Sequence, residues 1–197
     1  MRAQAHTLEA ITASIVILAS VVFALQVTAV TPLSASTSSQ HIENQQQASA
    51  AGVLDAARET GDLDTAIAYW DDTNGSLHGI SAGAYTSDAD VNRTAFGAML
   101  LDTFESRGVA FNVYFTYTTD TGTLVSRSFI YRGEPSDNAA TASTTVALYD
   151  DHPLYDADGH PTDTTVNESA SYATYVPPDS DTGLYNTVRV EVVVWRM

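Results

Sequence analysis

The residues with the most chemical potential crowd one stretch, where Asp150, Asp151, Asp156, Asp158 and Asp163 stand with His152 and His160. Within it, Asp156-Ala157-Asp158-Gly159 has the opening spacing of a calcium loop, in which alternate carboxylates ahead of a turning glycine wrap a hard cation. The pattern does not close, because Asn167 stands where a bidentate acid is needed. Asp156 and Asp158 are thus calcium candidates set against a solvated acidic loop, and no cofactor is expected. His6, His41, His78, His152 and His160 show no H-E-x-x-H spacing, and no Gly-rich nucleotide loop is present. No serine is expected on a nucleophile elbow, and the expectation is a protein that is not an enzyme. The absence of cysteine removes disulfides, thiolate metal sites and a Cys nucleophile. Asn74-Gly75-Ser76, Asn92-Arg93-Thr94 and Asn167-Glu168-Ser169 are N-glycosylation sequons, which matter only outside the membrane.

The charge balance narrows the partners. Asp and Glu number 24 against 8 basic residues, for a net charge of -16, and every basic residue is Arg. A polyanion would be repelled and no basic stripe exists to release its counterions, so nucleic acid is not a partner. A lysine-free, Asp- and Thr-rich surface fits molar salt, where charges are screened over about 3 Å and self-repulsion is muted.

The elements that must position these groups follow from hydrophobic period. Asp64 to Trp70 reads as a short amphipathic turn or helix, and Asp71 to Ser76 as a loop. Asn92 is placed as the N-cap of a helix through about Ser106, with Phe96, Met99, Leu100 and Phe104 at core spacing and Gly108 beyond its end. Val109 to Tyr117 alternates cleanly, Thr119 to Gly122 turns, and Thr123 to Arg132 returns as the second arm of a hairpin. Ala142 to Tyr149 and Leu184 to Trp195 supply two more strands, and Asp150 to Pro178 is read as a long loop. The class is α+β, with an antiparallel sheet of about four strands packed on helices.

No charged residue falls between Ala10 and Gln40, and as a helix Ile11 to Val30 spans about 30 Å, the thickness of a bilayer's hydrocarbon core. Pro32 should bend that helix, and the Ala-, Ser- and Gln-rich run from Leu33 to Glu59 reads as a helical stalk or a linker, stopped by Gly61. Three fates are open for the apolar run. It is a secretory signal cut near Ser34-Ala35-Ser36, an uncut anchor oriented by Arg2, or a helix retained after cleavage ahead of it.

The third fate rests on Arg2-Ala3-Gln4-Ala5, which resembles the short basic site cut by archaeal prepilin peptidases, followed by Glu9 and the apolar helix. On these residues the chain resembles the archaeal type IV pilin family, and its segment from Arg2 to Gln47 is similar to pilin-like membrane proteins of haloarchaea. Ala3 stands where glycine is commoner, and Glu9 would be the sixth mature residue, one later than in bacterial pilins. The resemblance implies a leader of residues 1–3, a transmembrane and assembly helix at 4–31, a stalk at 32–60 and an extracytoplasmic head at 61–197. It implies a minor or accessory pilin-like subunit whose Glu9 meets a neighbouring subunit's free amine. Its partners would be other pilin-like subunits, a prepilin peptidase, the membrane and, indirectly, an assembly ATPase and platform protein. The alternative is an uncleaved, membrane-anchored binding module for a carbohydrate, a cation or a surface protein.

Overall fold

The computed structural model describes the backbone of residues 2–80, 84–179 and 183–196, and the side chains of all these except 2–5 and 27–39. Helix α1 runs from Arg2 to Thr60. It stops where Gly61 takes a left-handed φ of 81°, a conformation without penalty only for a residue lacking Cβ. Pro32, where a bend is expected, lies outside the described side chains. The chain divides into two compact units, Met1–Ile42 and Glu43–Met197, and α1 contributes to both.

In the second unit, Ala50, Val53, Leu54 and Ala57 of α1 recur at helical spacing and are buried. They join the core with Leu63, Ala66 and Ile67 of α2 (Asp62–Ile67). The expected loop after α2 is the turn of a small hairpin, β1 (Trp70–Asp71) with β2 (Ser76–Leu77). The next helices are α3 (Asp88–Val91) and α4 (Ala95–Phe104), and α4 buries Phe96, Leu100 and Phe104 while Met99 is half-buried. The N-cap of α4 is Thr94, not Asn92: the Thr94 hydroxyl accepts the Gly97 N–H at 3.1 Å, and Asn92 closes α3 instead. Two residues that can cap stand close together, and the end of α3 takes the first of them.

The hairpin arms are β3 (Val109–Thr118) and β4 (Leu124–Ile130), followed by β5 (Ala140–Tyr149). The stretch read as a long loop holds a second hairpin, β6 (Pro153–Tyr155) with β7 (Pro161–Thr165), and helix α5 (Ala170–Tyr175). The last strand is β8 (Leu184–Arg196). The main sheet is antiparallel in the order β4-β3-β8-β5. Its inner face pairs Phe111 with Val194, Val113 with Val192 and Phe115 with Val190, each of them fully buried. That two-residue period sets the register, since a slip of one position would turn these side chains to the solvent face. The architecture is α+β, with an N-terminal apolar helix and antiparallel sheets.

Candidate functional site

The first unit consists of α1 alone, and its chemistry is that of its surface. His6–Gln26 forms a 21-residue span of mean hydropathy 2.3, none of it buried. Ile15, Val16, Ile17, Leu18 and Phe23 are each more than half exposed. A helix that is apolar on every side needs lipid or other helices around it, because water penalises so large an apolar surface. Three of its hydroxyls are already satisfied. Ser14 Oγ donates to the Ala10 carbonyl at 2.7 Å, Ser20 Oγ to that of Ile17 at 2.8 Å, and Thr12 Oγ1 to that of Glu9 at 2.9 Å. These three hydroxyls thus bond within the helix and carry little cost into hydrocarbon. Glu9 lies near the N-terminal end of the span, one turn from His6, whose Nδ1 stands 3.8 Å from Glu9 Oε2, with both side chains over four-fifths exposed. Arg2, Ala3 and Gln4, and the alternative cleavage residues Ser34, Ala35 and Ser36, lie outside the described side chains.

The acidic stretch is dispersed by the second hairpin. Asp156, Asp158 and His160 fall at the β6–β7 turn, with one potential ligand atom from each lying within 4.8 Å of the others. Asp163 sits on β7, Asp150 and Asp151 in the turn before β6, and Asn167 beyond β7. Asp156 Oδ1 already accepts the N–H groups of Asp158 and His160, both at 2.9 Å. These bonds, the His160 one foremost, hold its carboxyl below the ordinary range. The arrangement is that of an aspartate shaping a turn, and Asp156 remains largely solvated.

His152 is not part of this group. It is half-buried, and its Nε2 has no partner. Burial pushes its pKa below the ordinary 6.5, and the nearby Asp64 carboxylate and backbone only partly oppose that. The unfolded chain therefore binds this proton at a higher pH than the folded one, so stability falls as pH drops through 6.5 toward the folded value. Burial raises the pKa of Asp64, whose contribution runs the other way in a lower window, because there the folded state binds the proton first. His152→Gln is expected to flatten the decline of the urea midpoint between about pH 7 and pH 5. An unchanged pH profile in that variant would assign the decline to other groups.

All three sequon asparagines are exposed. Asn74 lies in the β1–β2 turn, where its Nδ2 donates to Asp71 Oδ2 at 2.5 Å. The hydroxyl residues of the other two sequons are engaged by the fold: Thr94 caps α4, and the Ser169 hydroxyl caps α5 and donates to Asp72. The run Gly79-Ile80-Ser81-Ala82-Gly83 does spell the five-residue nucleophile-elbow pattern, contrary to expectation. Ser81 lies outside the described residues, and the flanking elements are the two-residue β2 and the four-residue α3 rather than the long strand and helix an elbow joins.

One family model, "Family of unknown function (DUF7288)", matches residues 2–194, through the apolar helix and the head alike. The chain belongs to the DUF7288 family. No curated protein and no solved structure matches it. In this DUF7288 chain, spacing along the sequence missed one constellation, the contact of Trp70, Tyr117, Arg127 and Tyr175. The available signal was the i, i+3 pair Tyr172 and Tyr175, which α5 turns inward.

Proposed function

We propose that this chain is a pilin-like structural subunit, minor or accessory, of an archaeal type IV pilus-like filament or of its assembly machinery. Membrane insertion would leave the head outside the cell, and a prepilin peptidase would cut after Ala3. The apolar helix would then pass from lipid into a bundle with other pilin-like helices. Helix packing replaces lipid contacts in that step, so little hydrophobic free energy opposes it. Glu9, near the end of the span, would pair with the amine of Gln4 on a neighbouring subunit, since a carboxylate at that depth is costly without a cation. The chain would supply no chemistry of its own, and the energy of assembly would come from a cytoplasmic ATPase acting through a membrane platform protein.

The observation that carries this reading is that one helix holds both the wholly exposed span His6–Gln26 and the core residues Ala50, Val53, Leu54 and Ala57. A signal meant for removal has no need to be continuous with the core of the protein it exports. Intact-mass analysis of the native chain, extracted from its own membranes, tests the proposal. A mature chain that begins at Gln4 is the expected result. A start near Thr37 would mean ordinary secretion and end the filament reading, whereas an intact Met1 would leave an uncut anchor presenting a binding head.

A further inference from the structure

Between the β1–β2 hairpin, strand β4 and the end of α5 the head holds a cleft of about 370 Å³. Trp70, Leu77, Ile80 and Tyr175 line it with apolar surface, and Arg127 and Ser128 add polar groups. The volume lies within the range of small-molecule sites, roughly 300–1,000 Å³.

The aromatic wall is fixed before any ligand arrives. Trp70 and Tyr175 stack with ring centroids 4.8 Å apart, Tyr172 meets Trp70 edge-on at 5.7 Å, and Trp70 Nε1 donates to Ser171 Oγ at 2.8 Å. Arg127 is held against the same wall. Its guanidinium carbon lies 5.5 Å from the Tyr175 ring centroid, and its Nε donates to the Tyr117 hydroxyl at 2.7 Å. The Tyr117 hydroxyl in turn donates to the Tyr175 carbonyl, which ties β3 to the end of α5.

Among the described residues the guanidinium has no acidic partner. In a chain with 24 carboxylate side chains, Arg127 makes no ion pair among the described residues, whereas Arg93 and Arg132 each do. Among the described residues only its Nε donates a hydrogen bond, so the terminal N–H groups remain to form the planar fork that fits a carboxylate. A pre-positioned fork beside a rigid apolar wall complements an acid whose body is flat or branched and apolar. Polyhydroxylated ligands fit less well, because Trp70, Leu77, Ile80 and the Tyr175 ring give the cleft an apolar wall.

We propose that this cleft binds an apolar carboxylate, presented either as a small free acid or as the C-terminal residue of a peptide. The acid's two oxygens meet the Arg127 fork, and its body displaces water from Trp70, Leu77 and Ile80. The inference is independent of the filament reading.

The test uses the full chain in detergent and follows tryptophan fluorescence, with phenylacetate as probe and phenylacetamide as its uncharged counterpart. Phenylacetate should give a saturable change with a Kd on the order of millimolar. Phenylacetamide on the wild-type chain, and phenylacetate on Arg127→Gln, should bind roughly tenfold more weakly or worse. Acetyl-Gly-Phe, as free acid and as amide, separates the sources: an acid form tighter than phenylacetate means a peptide terminus, and a weaker one a free acid. Equal binding of phenylacetate and phenylacetamide overturns the proposal, as does the absence of saturation. The amide comparison needs no variant, so it decides even where Arg127→Gln fails to fold. A folded Arg127→Gln chain that binds phenylacetate like wild type would reduce Arg127 to a cover for the tyrosine cluster.

Discussion

Replacing Ile17 by Asp is expected to move most of the chain out of the membrane fraction. Ile17 lies near the middle of the His6–Gln26 span and is 62% exposed, so nothing in its own chain shelters a new charge. An aspartate at the centre of a spanning helix costs about 3 kcal/mol on insertion scales, which is roughly a hundredfold in the insertion equilibrium. Ile17→Thr is the matched control, because its hydroxyl can return to a carbonyl one turn back as those of Ser14 and Ser20 do. Flotation on a density gradient reads the difference, with the threonine variant expected to float and the aspartate variant to stay at the bottom. Among the described residues the apolar core of the head takes its α1 side chains from Ala50 onward, far from Ile17, so the urea midpoint of the head should be the same in both variants. An aspartate variant that floats like wild type would mean that this helix does not hold the chain to the membrane.

The strands most legible in the sequence are those whose pattern meets no competing demand. β3 and β8 alternate because one face of each is core, and Val188, Val190, Val192 and Val194 could be assigned to that face from spacing alone. The β6–β7 hairpin leaves no such trace. Pro153 and Pro161 open its strands, and β7 is Thr- and Asp-rich with no buried residue, so pairing rather than a hydrophobic face defines it. Helix α5, six residues long, is too short for a helical period to register. Tertiary contact supplies its stability, through buried Tyr172 and Tyr175. The same physics governs the sites. The apolar span, Glu9 and the sequons are local patterns and could be read directly. The Arg127 constellation is assembled from β1, β3, β4 and α5, and no spacing rule joins residues brought together only by folding.

The other large effect concerns a glycine that no turn requires. Gly97 lies inside α4 with helical backbone, and a Cβ built there would stand 1.8 Å from the Val91 carbonyl oxygen and 2.8 Å from its carbon. The obstacle is main chain at the end of α3, which cannot rotate aside as a long side chain could. Relief requires α3 and α4 to part, yet Thr94 pins the start of α4 through the Gly97 N–H while Phe96, Leu100 and Phe104 anchor it in the core. Gly97→Ala is therefore expected to cost more than about 4 kcal/mol, a large fraction of the 5–15 kcal/mol that holds a domain of this size folded. Thr94→Ala, which removes the cap but adds no atom, should cost about 1 kcal/mol. Gly52→Ala should have the opposite sign: Gly52 is exposed within α1 with nothing inside 4 Å of an added Cβ, and the better helix former is worth about 1 kcal/mol there. Urea titration of the three variants separates these outcomes. Should Gly97→Ala unfold near the wild-type midpoint, α3 and α4 are not packed as closely as that contact requires, and the rigid seat of Phe96 and Leu100 in the head is lost with it.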